Sequence, residues 1–529
     1  VILLIHPPVS KPCEPPPGIA RLAGALQEQG IPYLVLDANR EGLQHLLHLS
    51  PGCDSTDTWT RRARAGLSRS LGLLTTPEGY RNRDRYHRAI SDVNRVLEQS
   101  CANGRARVSL ADYEEPGRSP LRSADLLAAA EHPEENPFFG YFRERLVPLF
   151  ERRGISTVGI SLNYLSQAFP VFAMIGLLRR LDPGLRIVVG GGLATSWSRR
   201  SDFGRPFRGL IDEVVDGPGE ARLLELLGTS PGPGALPPRP DYGIFLSPAD
   251  SAGGLPYLAP GPILPYSASS GCSYRRCAFC PERAEGSPYC PIPPERVAED
   301  LRFLVGEHRP VLIHLLDNAL SPALLKVLVA HPPGIPWYGF ARVSRDLANP
   351  GFCRSLKESG CVLLQIGIES GSQRVLDALH KGIRLETASG ALRSLRSAGI
   401  AAYVYLLFGT PEETEAEARE TLDFTVRHST AIGFLNLAVF NLPVRHALRG
   451  DLEARPFYEG DLSLYRDFRH PRGWDRAVVR RFLQAEFRRH PAIAPILRRD
   501  PPLFTSNHAP FFSKALFPEP DRAPVPAPP

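Results

Sequence analysis

The sequence predicts an α/β protein in which a doubly wound parallel unit precedes a partial βα barrel and a C-terminal extension. Three observations carry this. The first 40 residues read as strand, Pro-rich turn, helix and strand (ILLIHPP, GIARLAGALQEQG, PYLVLDAN), the opening of a parallel sheet. The pattern resumes at 155–161 (ISTVGIS), with a helix over 169–181, a strand over 185–190 (LRIVVG) and the segment EVVDGPGE. From residue 263, strands and helices alternate again: ILPYSAS, PERVAEDLRFLVGEH, PVLIHLLD, PALLKVLVAH, WYGFARV, GFCRSLKESG, CVLLQIGIES, ETASGALRSLRSAG, AAYVYLLFG and EAEARETLDFTVRH.

These runs predict a Rossmann-like first domain over 1–228, a Pro/Gly-rich linker over 229–262, a TIM-like partial barrel over 263–440, a C-terminal extension over 441–517 and a disordered tail over 518–529. Residues of about 41–150 are rich in charge and helix formers without strand periodicity, and are expected to form a helical insertion. In a doubly wound sheet, ligands sit beyond the carboxyl ends of the strands. Here that means His6–Pro8, Ser161–Gln167, Gly190–Ser196 and Asp216–Glu220, four loops expected to share one rim.

Composition narrows the function classes. A net charge of +6 comes from 62 basic residues interspersed with 56 acids, so no basic stripe marks a nucleic-acid binder. No run reaches the roughly 20 apolar residues of a membrane span. VILLIHPP is too short for a secretory signal, and the chain is expected to be cytoplasmic. Nine cysteines are mostly isolated, unlike a disulfide scaffold.

One cysteine group is clustered. Cys272, Cys277 and Cys280 follow a predicted strand in the loop SSGCSYRRCAFCPE, so three thiolates can converge at that strand's carboxyl end. Three ligands suit a 4Fe-4S cluster with one iron open to a small molecule. A closed zinc site would need Cys290 as fourth ligand, and would make the chain a zinc-stabilised, non-catalytic binding protein.

The loop resembles that of the radical S-adenosylmethionine (radical SAM) superfamily, and Phe279 occupies the position of the aromatic that packs near adenine. The commonest family spacing puts three residues between the first two cysteines; Ser273, Tyr274, Arg275 and Arg276 make four here, which a loop bulge can absorb. The segment LLQIGIESGSQRVLDALHKGI (363–383) resembles the family's fourth-strand signature, which implies that Glu369 and Ser370 contact S-adenosylmethionine and that Gly367 permits close approach. LLDNALSP (315–322) matches the second-strand position facing the methionine end, making Asp317 and Asn318 candidates, with helix capping as the alternative. YVYLLFGTPEET (403–414) resembles a later strand and turn, with Thr410 and Glu412 replacing usual types.

The N-terminal half resembles the cobalamin-binding domain fused to such barrels, through HPP, GIARLAGAL, LDAN, SLNYLSQ, VVGGG and DGPGE. The resemblance implies cobalamin contacts at Gln167, Gly190, Gly191, Gly192, Gly217 and Glu220. No Asp-x-His-x-x-Gly string is present, so bound cobalt would lack a histidine from that loop. Tyr405 and Asn436 are candidates to line a shared cavity, with packing as the alternative; His508 reads as structural.

Together these resemblances imply a 4Fe-4S cluster, S-adenosylmethionine and cobalamin as cofactors. They imply reductive cleavage of S-adenosylmethionine to a 5'-deoxyadenosyl radical, for methylation of an unactivated carbon. Cyclisation, rearrangement or redox chemistry, with or without cobalamin, is the alternative. The expected partners are a small-molecule, lipid or peptide substrate and an electron donor such as flavodoxin or ferredoxin. The sequence lacks the extra cysteine set and nucleic-acid-binding module that methylthiotransferases show.

Overall fold

A computed structural model of the chain describes residues 1–49, 57–101, 105–200, 204–229, 232, 236–246, 254–446, 452–457, 460–502 and 508–513. The tail expected over 518–529, Cys53 and parts of the 229–262 linker lie outside the described residues.

The first sheet begins with β1 (Ile2–His6) and β2 (Tyr33–Asp37), joined by the helix Pro17–Glu28. Successive side chains of a strand face opposite sides. Leu3 and Ile5 therefore pack with the insertion, while Ile2 and Leu4 join Ile19, Ala20 and the core that continues into the barrel. The insertion is mainly helical (Ala38–His48, Thr58–Ala65, Leu67–Leu74, Pro77–Arg81, Arg83–Ser100, Ser123–Glu131, Phe139–Arg153). It also holds a hairpin, β3 (Arg107–Val108) with β4 (Tyr113–Glu114), whose two-residue strands are too short to show a period. The sheet resumes with β5 (Thr157–Ser161), β6 (Arg186–Gly190) and β7 (Glu213–Val214). Its order, β2-β1-β5-β6-β7, is parallel throughout.

The helix expected from residue 169 starts at Leu165. Gln167 caps it, accepting the N–H groups of Asn163 (2.8 Å) and Tyr164 (3.1 Å). Pro170 lies inside this helix and has no N–H for the Ser166 carbonyl, which accepts the Val9 N–H instead (3.5 Å). The Ser166 hydroxyl donates to the Val9 carbonyl (2.8 Å) and the Gln167 amide to the Pro7 carbonyl (2.8 Å). The loop after β1 is thus tied to the loop after β5.

The described parts of the Pro/Gly-rich linker are anchored by side chains. Tyr257 donates to Asp37 (2.8 Å), Tyr242 is buried with its hydroxyl on the Pro265 carbonyl, and Arg239 meets the buried Asp300 (2.8 Å). Beyond it lie β8 (Ile263–Tyr266) and the short antiparallel pair β9 (Ser269–Ser270) and β10 (Cys290–Pro291). Then come β11 (Leu312–Leu320), β12 (Trp337–Ala341), β13 (Cys361–Glu369), β14 (Ala401–Phe408) and β15 (Phe434–Val439). The six long strands form one parallel sheet in the order β15-β14-β13-β12-β11-β8, the expected partial barrel with FLNLAV as its sixth strand. Its convex side packs Leu364, Ile366 and Ile368 against helices, while Leu363, Tyr338, Tyr403 and Phe434 face inward.

The C-terminal extension adds β16 (Leu442–Pro443), β17 (Ala454–Pro456) and β18 (Tyr465–Phe468) as an antiparallel sheet, then the helix Arg476–Phe482, which loosens into a π-turn over Leu483–Phe487. The extension touches both other units: the Trp197 indole donates to the Leu462 carbonyl (3.0 Å), and the Trp474 indole to Glu413 (2.9 Å) in the turn after β14. No helix among the described residues is long and apolar enough to cross a membrane.

Glu413 is fully buried, and only its Oε2 is hydrogen-bonded, by Trp474 and the Gly409 N–H. Burial pushes its carboxyl up to about 7, against these two donors. The neutral acid is therefore the form suited to the folded chain. Its contribution is present below the unfolded value near 4.5 and is lost as pH rises through about 7. Glu413→Gln is expected to leave the unfolding midpoint unchanged at pH 4.5 and to raise stability by about 3 kcal/mol at pH 8. Denaturation followed across that range checks it; a difference independent of pH contradicts it.

Candidate cluster and cofactor site

The cysteine loop leaves the barrel at the carboxyl end of β8. Asp317 on β11, buried to 2 % exposure, accepts the Ala268 N–H (3.0 Å) and the Ser269 hydroxyl, fixing the path of the chain into Gly271. Asn318, expected as its companion, is exposed and donates to the Gly271 carbonyl (3.3 Å). Both brace the loop; the capping of the next helix falls to Ser321. Gly271 has φ +71°, and a Cβ there would lie 2.2 Å from the Pro288 carbonyl oxygen, so only glycine passes this point without a clash. Within the four residues between Cys272 and Cys277, Arg275 adopts the left-handed region (φ 49°).

Cys272, Cys277 and Cys280 are partly buried and unbridged, whereas Cys13, Cys101, Cys353 and Cys361 are buried. Donors lie at two of the three sulfurs. The Arg342 guanidinium lies 3.7 Å from Cys277 Sγ and also donates to the Lys381 carbonyl (2.6 Å). Burial pushes the Cys280 thiol up, while the backbone N–H groups of Arg283 and Glu282 favour its thiolate. Cys272 and Cys277 lie within electrostatic range of Cys280, and three thiols on one loop suit a cluster that takes three protein ligands. Cys290 is exposed on β10, and among the described residues no group of three or more His, Cys, Asp or Glu side chains is placed to hold a single metal ion.

At the end of β13, Glu369 adopts φ 71°, a left-handed conformation that costs about 1–2 kcal/mol in a non-glycine residue. Its carboxylate is held at 2.8 Å by Lys381, whose ammonium sits 5.6 Å from the centre of the Phe279 ring. A Cβ on Gly367 would fall 2.3 Å from Glu369 Oε1 and 2.9 Å from Lys381 Nζ, so the glycine clears space for the ion pair. Ser370 departs from expectation: its buried hydroxyl is directed at Thr421 (3.2 Å) and accepts the Ser372 N–H (3.1 Å), away from any ligand. Sequence reasoning passed over Lys381 and Arg342. The position of Lys381 inside the matched segment 363–383 was the available signal for the first; Arg342 reaches its cysteine only through the fold.

In the first domain, a crevice of about 220 Å³ opens at the carboxyl ends of β1, β5, β6 and β7. Gly18, Gly159, Gly190, Gly191, Gly217 and Gly219 line it together with aliphatic side chains. A Cβ on Gly159 would approach Leu4 Cδ2 to 3.0 Å, and one on Gly191 (φ +103°) would lie 2.6 Å from the Leu162 carbonyl oxygen. Glycines and aliphatic side chains dominate this crevice, with Arg21, Ser161, Asn163, Glu220 and Ser267 as its polar lining, a surface that suits one face of a flat ring group. Two expected contacts are used elsewhere: Gln167 caps its helix as described, and the Gly192 N–H is taken by Asn163 (3.0 Å). Glu220 is paired with Arg21 (2.6 Å), and the pair lines both the crevice and a second cavity of about 300 Å³ that reaches Ser269, Ser270 and Cys290. His6 is buried and hydrogen-bonded to Ser10 (2.9 Å), with burial pushing its pKa down, so it stays neutral within its own loop.

Inside the barrel, the Tyr405 ring packs on Phe340 (4.9 Å) and Tyr403 (4.7 Å), and Asn436 stands beside it in register. His508 packs between Tyr403 (4.8 Å) and Phe434 (4.4 Å), a structural position. Between them Gln365 is fully buried with neither amide atom hydrogen-bonded to protein, a polar site that the sequence reading missed in an apolar strand.

Comparison with known proteins places this geometry. An uncharacterized methyltransferase of Pyrococcus horikoshii is 28% identical over 302 residues, 50% of this chain and 63% of the relative. The anaerobic magnesium-protoporphyrin IX monomethyl ester cyclase of Rubrivivax gelatinosus is 24% identical over 157 residues, 28% of each chain. The matched stretch thus spans less than two thirds of either relative. Among solved structures, the radical S-adenosylmethionine methyltransferase TsrM from Kitasatospora setae, with tryptophan and a SAM analogue bound, aligns at TM-score 0.49 and 17% identity over 83% of this chain and 73% of its own. The cobalamin-dependent radical enzyme OxsB aligns at TM-score 0.48 and 15% identity, over 82% and 52%. The model of the radical SAM superfamily matches residues 266–425, from the last residue of β8 to the helix after β14. That span takes in the cysteine loop and the strands bearing Asp317 and Glu369, and it identifies residues 266–425 as a radical SAM domain, a type of domain that uses a 4Fe-4S cluster and S-adenosylmethionine.

Proposed function

We propose that the chain is a cobalamin-dependent radical SAM methyltransferase acting on an unactivated carbon of a small-molecule, lipid or peptide substrate. Residues 1–228 are the corrinoid-binding unit and 263–440 the radical unit in this reading. The observation that carries it is the glycine-lined crevice, which shares Arg21, Pro218 and Glu220 with a cavity that reaches Ser269 and Ser270, the strand leading into Cys272. The methyltransferase name of the Pyrococcus relative supports the same reaction. A second reading, ring formation with the same cofactors, is favoured by the likeness to the ester cyclases.

When bound, the cluster and S-adenosylmethionine supply a 5'-deoxyadenosyl radical and the corrinoid supplies a methyl group. The chain's own residues position and exclude. Cys272, Cys277 and Cys280 hold three irons, Asp317 and Asn318 fix the loop that bears them, and Arg342 neutralises charge at Cys277. Phe279 would flank the adenine, and Glu369, held by Lys381 beside Gly367, would accept hydrogen bonds from the polar groups of S-adenosylmethionine. Gly190, Gly191 and Gly217 leave room for the corrinoid, and Glu220 is kept from it by Arg21. His6 is buried and hydrogen-bonded to Ser10 through Nε2, which would hold its ring within its own loop if a corrinoid bound.

Anaerobic reconstitution is expected to give about four irons per chain. Serine at Cys272, Cys277 or Cys280 should abolish the brown chromophore, and Cys290→Ser should keep it; loss of metal in the Cys290 variant contradicts the assignment. With added methylcobalamin and S-adenosylmethionine, the folded chain should retain cobalt. Gly190→Leu is expected to weaken corrinoid retention at least about 10-fold, roughly 1.4 kcal/mol, with iron unchanged. A Cβ at this position lies 3.7 Å from Val215 Cβ, so the substitution fills the crevice without a backbone clash. Equal cobalt in both proteins would remove the corrinoid from the mechanism and leave the radical enzyme standing.

A further inference from the structure

The four-residue stretch between Cys272 and Cys277 has a consequence beyond loop length. It brings Arg275 and Arg276 to the surface, both exposed, beside the exposed Arg283, whose guanidinium donates to the Arg276 carbonyl (2.7 Å). Among the described residues none of the three forms an ion pair, although many arginines of this chain do, among them Arg95, Arg118, Arg179, Arg199 and Arg222. Three like charges held together without carboxylates repel one another and create a positive field over the site. They rim an open hollow of about 490 Å³ that also holds Tyr274, His380 and one acid, Asp377, which faces Arg384 at 4.0 Å.

Tyr274 carries this surface inward. Its hydroxyl donates to the His380 carbonyl (2.9 Å), and its ring is covered by Arg342 at 3.5 Å, the same guanidinium that lies 3.7 Å from Cys277 Sγ. Gly382 exists for this packing, since a Cβ there would fall 2.0 Å from Tyr274 Oη. The hollow is thus one aromatic ring and one guanidinium away from a cluster ligand.

We propose that Arg275, Arg276 and Arg283 form the docking surface for an acidic one-electron carrier protein that reduces the cluster. The proposal rests on the radical SAM assignment, which requires a reductant. In the step, the reduced carrier loses one electron and the cluster gains it; no bond forms or breaks. Charge complementarity selects the occupant: a carrier with carboxylates around its redox centre is steered to the arginines and oriented with that centre toward Tyr274.

The test uses the reconstituted full chain and anaerobic stopped-flow bleaching of the cluster, with reduced flavodoxin as the acidic probe and photoreduced 5-deazariboflavin as a small uncharged one. The second-order rate with flavodoxin should fall about 10-fold or more between 50 and 500 mM salt, and by a similar factor in R275Q/R276Q/R283Q, whose remaining salt dependence should flatten. Bleaching by deazariboflavin should be the same in both proteins. Flavodoxin rates that ignore both salt and the triple substitution overturn the proposal, and the native chain's salt dependence decides alone if the variant binds less iron. A native chain that takes up no iron fails the radical SAM assignment itself, a separate outcome.

Discussion

The carboxylate of Asp317 governs the geometry of the site. It stands on β11, almost without solvent, and burial pushes its pKa up against the donors that hold it. The Ala268 N–H and the Ser269 hydroxyl satisfy it, and in doing so they set the exit of β8 and the turn at Gly271. Had the strand offered no such acceptor, the buried Ala268 N–H would be left without a partner, at a cost of about 1–3 kcal/mol. The cysteine loop, the β9–β10 pair that frames it and the wall of the second cavity all follow from this one acceptor.

Charge is distributed unevenly around that anchor. Glu369 and Lys381 are paired and largely buried, so breaking either side would strand a charge in a poorly solvated place. Arg342 meets the Tyr274 ring, the Lys381 carbonyl and the Cys277 sulfur at once, and no shorter side chain reaches all three. On the opposite wall the glycine crevice has almost no charge, and its two ionic residues, Arg21 and Glu220, neutralise each other. A cationic pole at the cysteines and a neutral slot under the first sheet suit groups of different character.

Much of this was legible in the residues. Buried parallel strands are continuous apolar runs, and nearly every one of them was found that way; the cysteine triplet and the 363–383 segment gave the site its address. The shortfalls have physical causes. A glutamine three residues into a helix satisfies orphan N–H groups, and Gln167 does that in place of meeting a ligand. Ser370 follows Glu369 directly, but the backbone turns at φ 71° and sends its hydroxyl into the helix bearing Thr421. Arg342 acts on a sulfur 65 residues earlier in the chain, a relation that local pattern does not contain. The β3–β4 hairpin is simply shorter than any period that could reveal it.

Pro170 shows how a deficit in one element can serve as a connector for another. By lacking a donor it leaves the Ser166 carbonyl unclaimed within its own helix, and Val9 claims it. The loop after β1 is therefore latched to a helix more than 150 residues away by an absent hydrogen atom. Any other residue at 170 would carry an N–H to compete for that carbonyl, so the proline works less as a kink than as a keyhole, admitting one particular loop to one particular place.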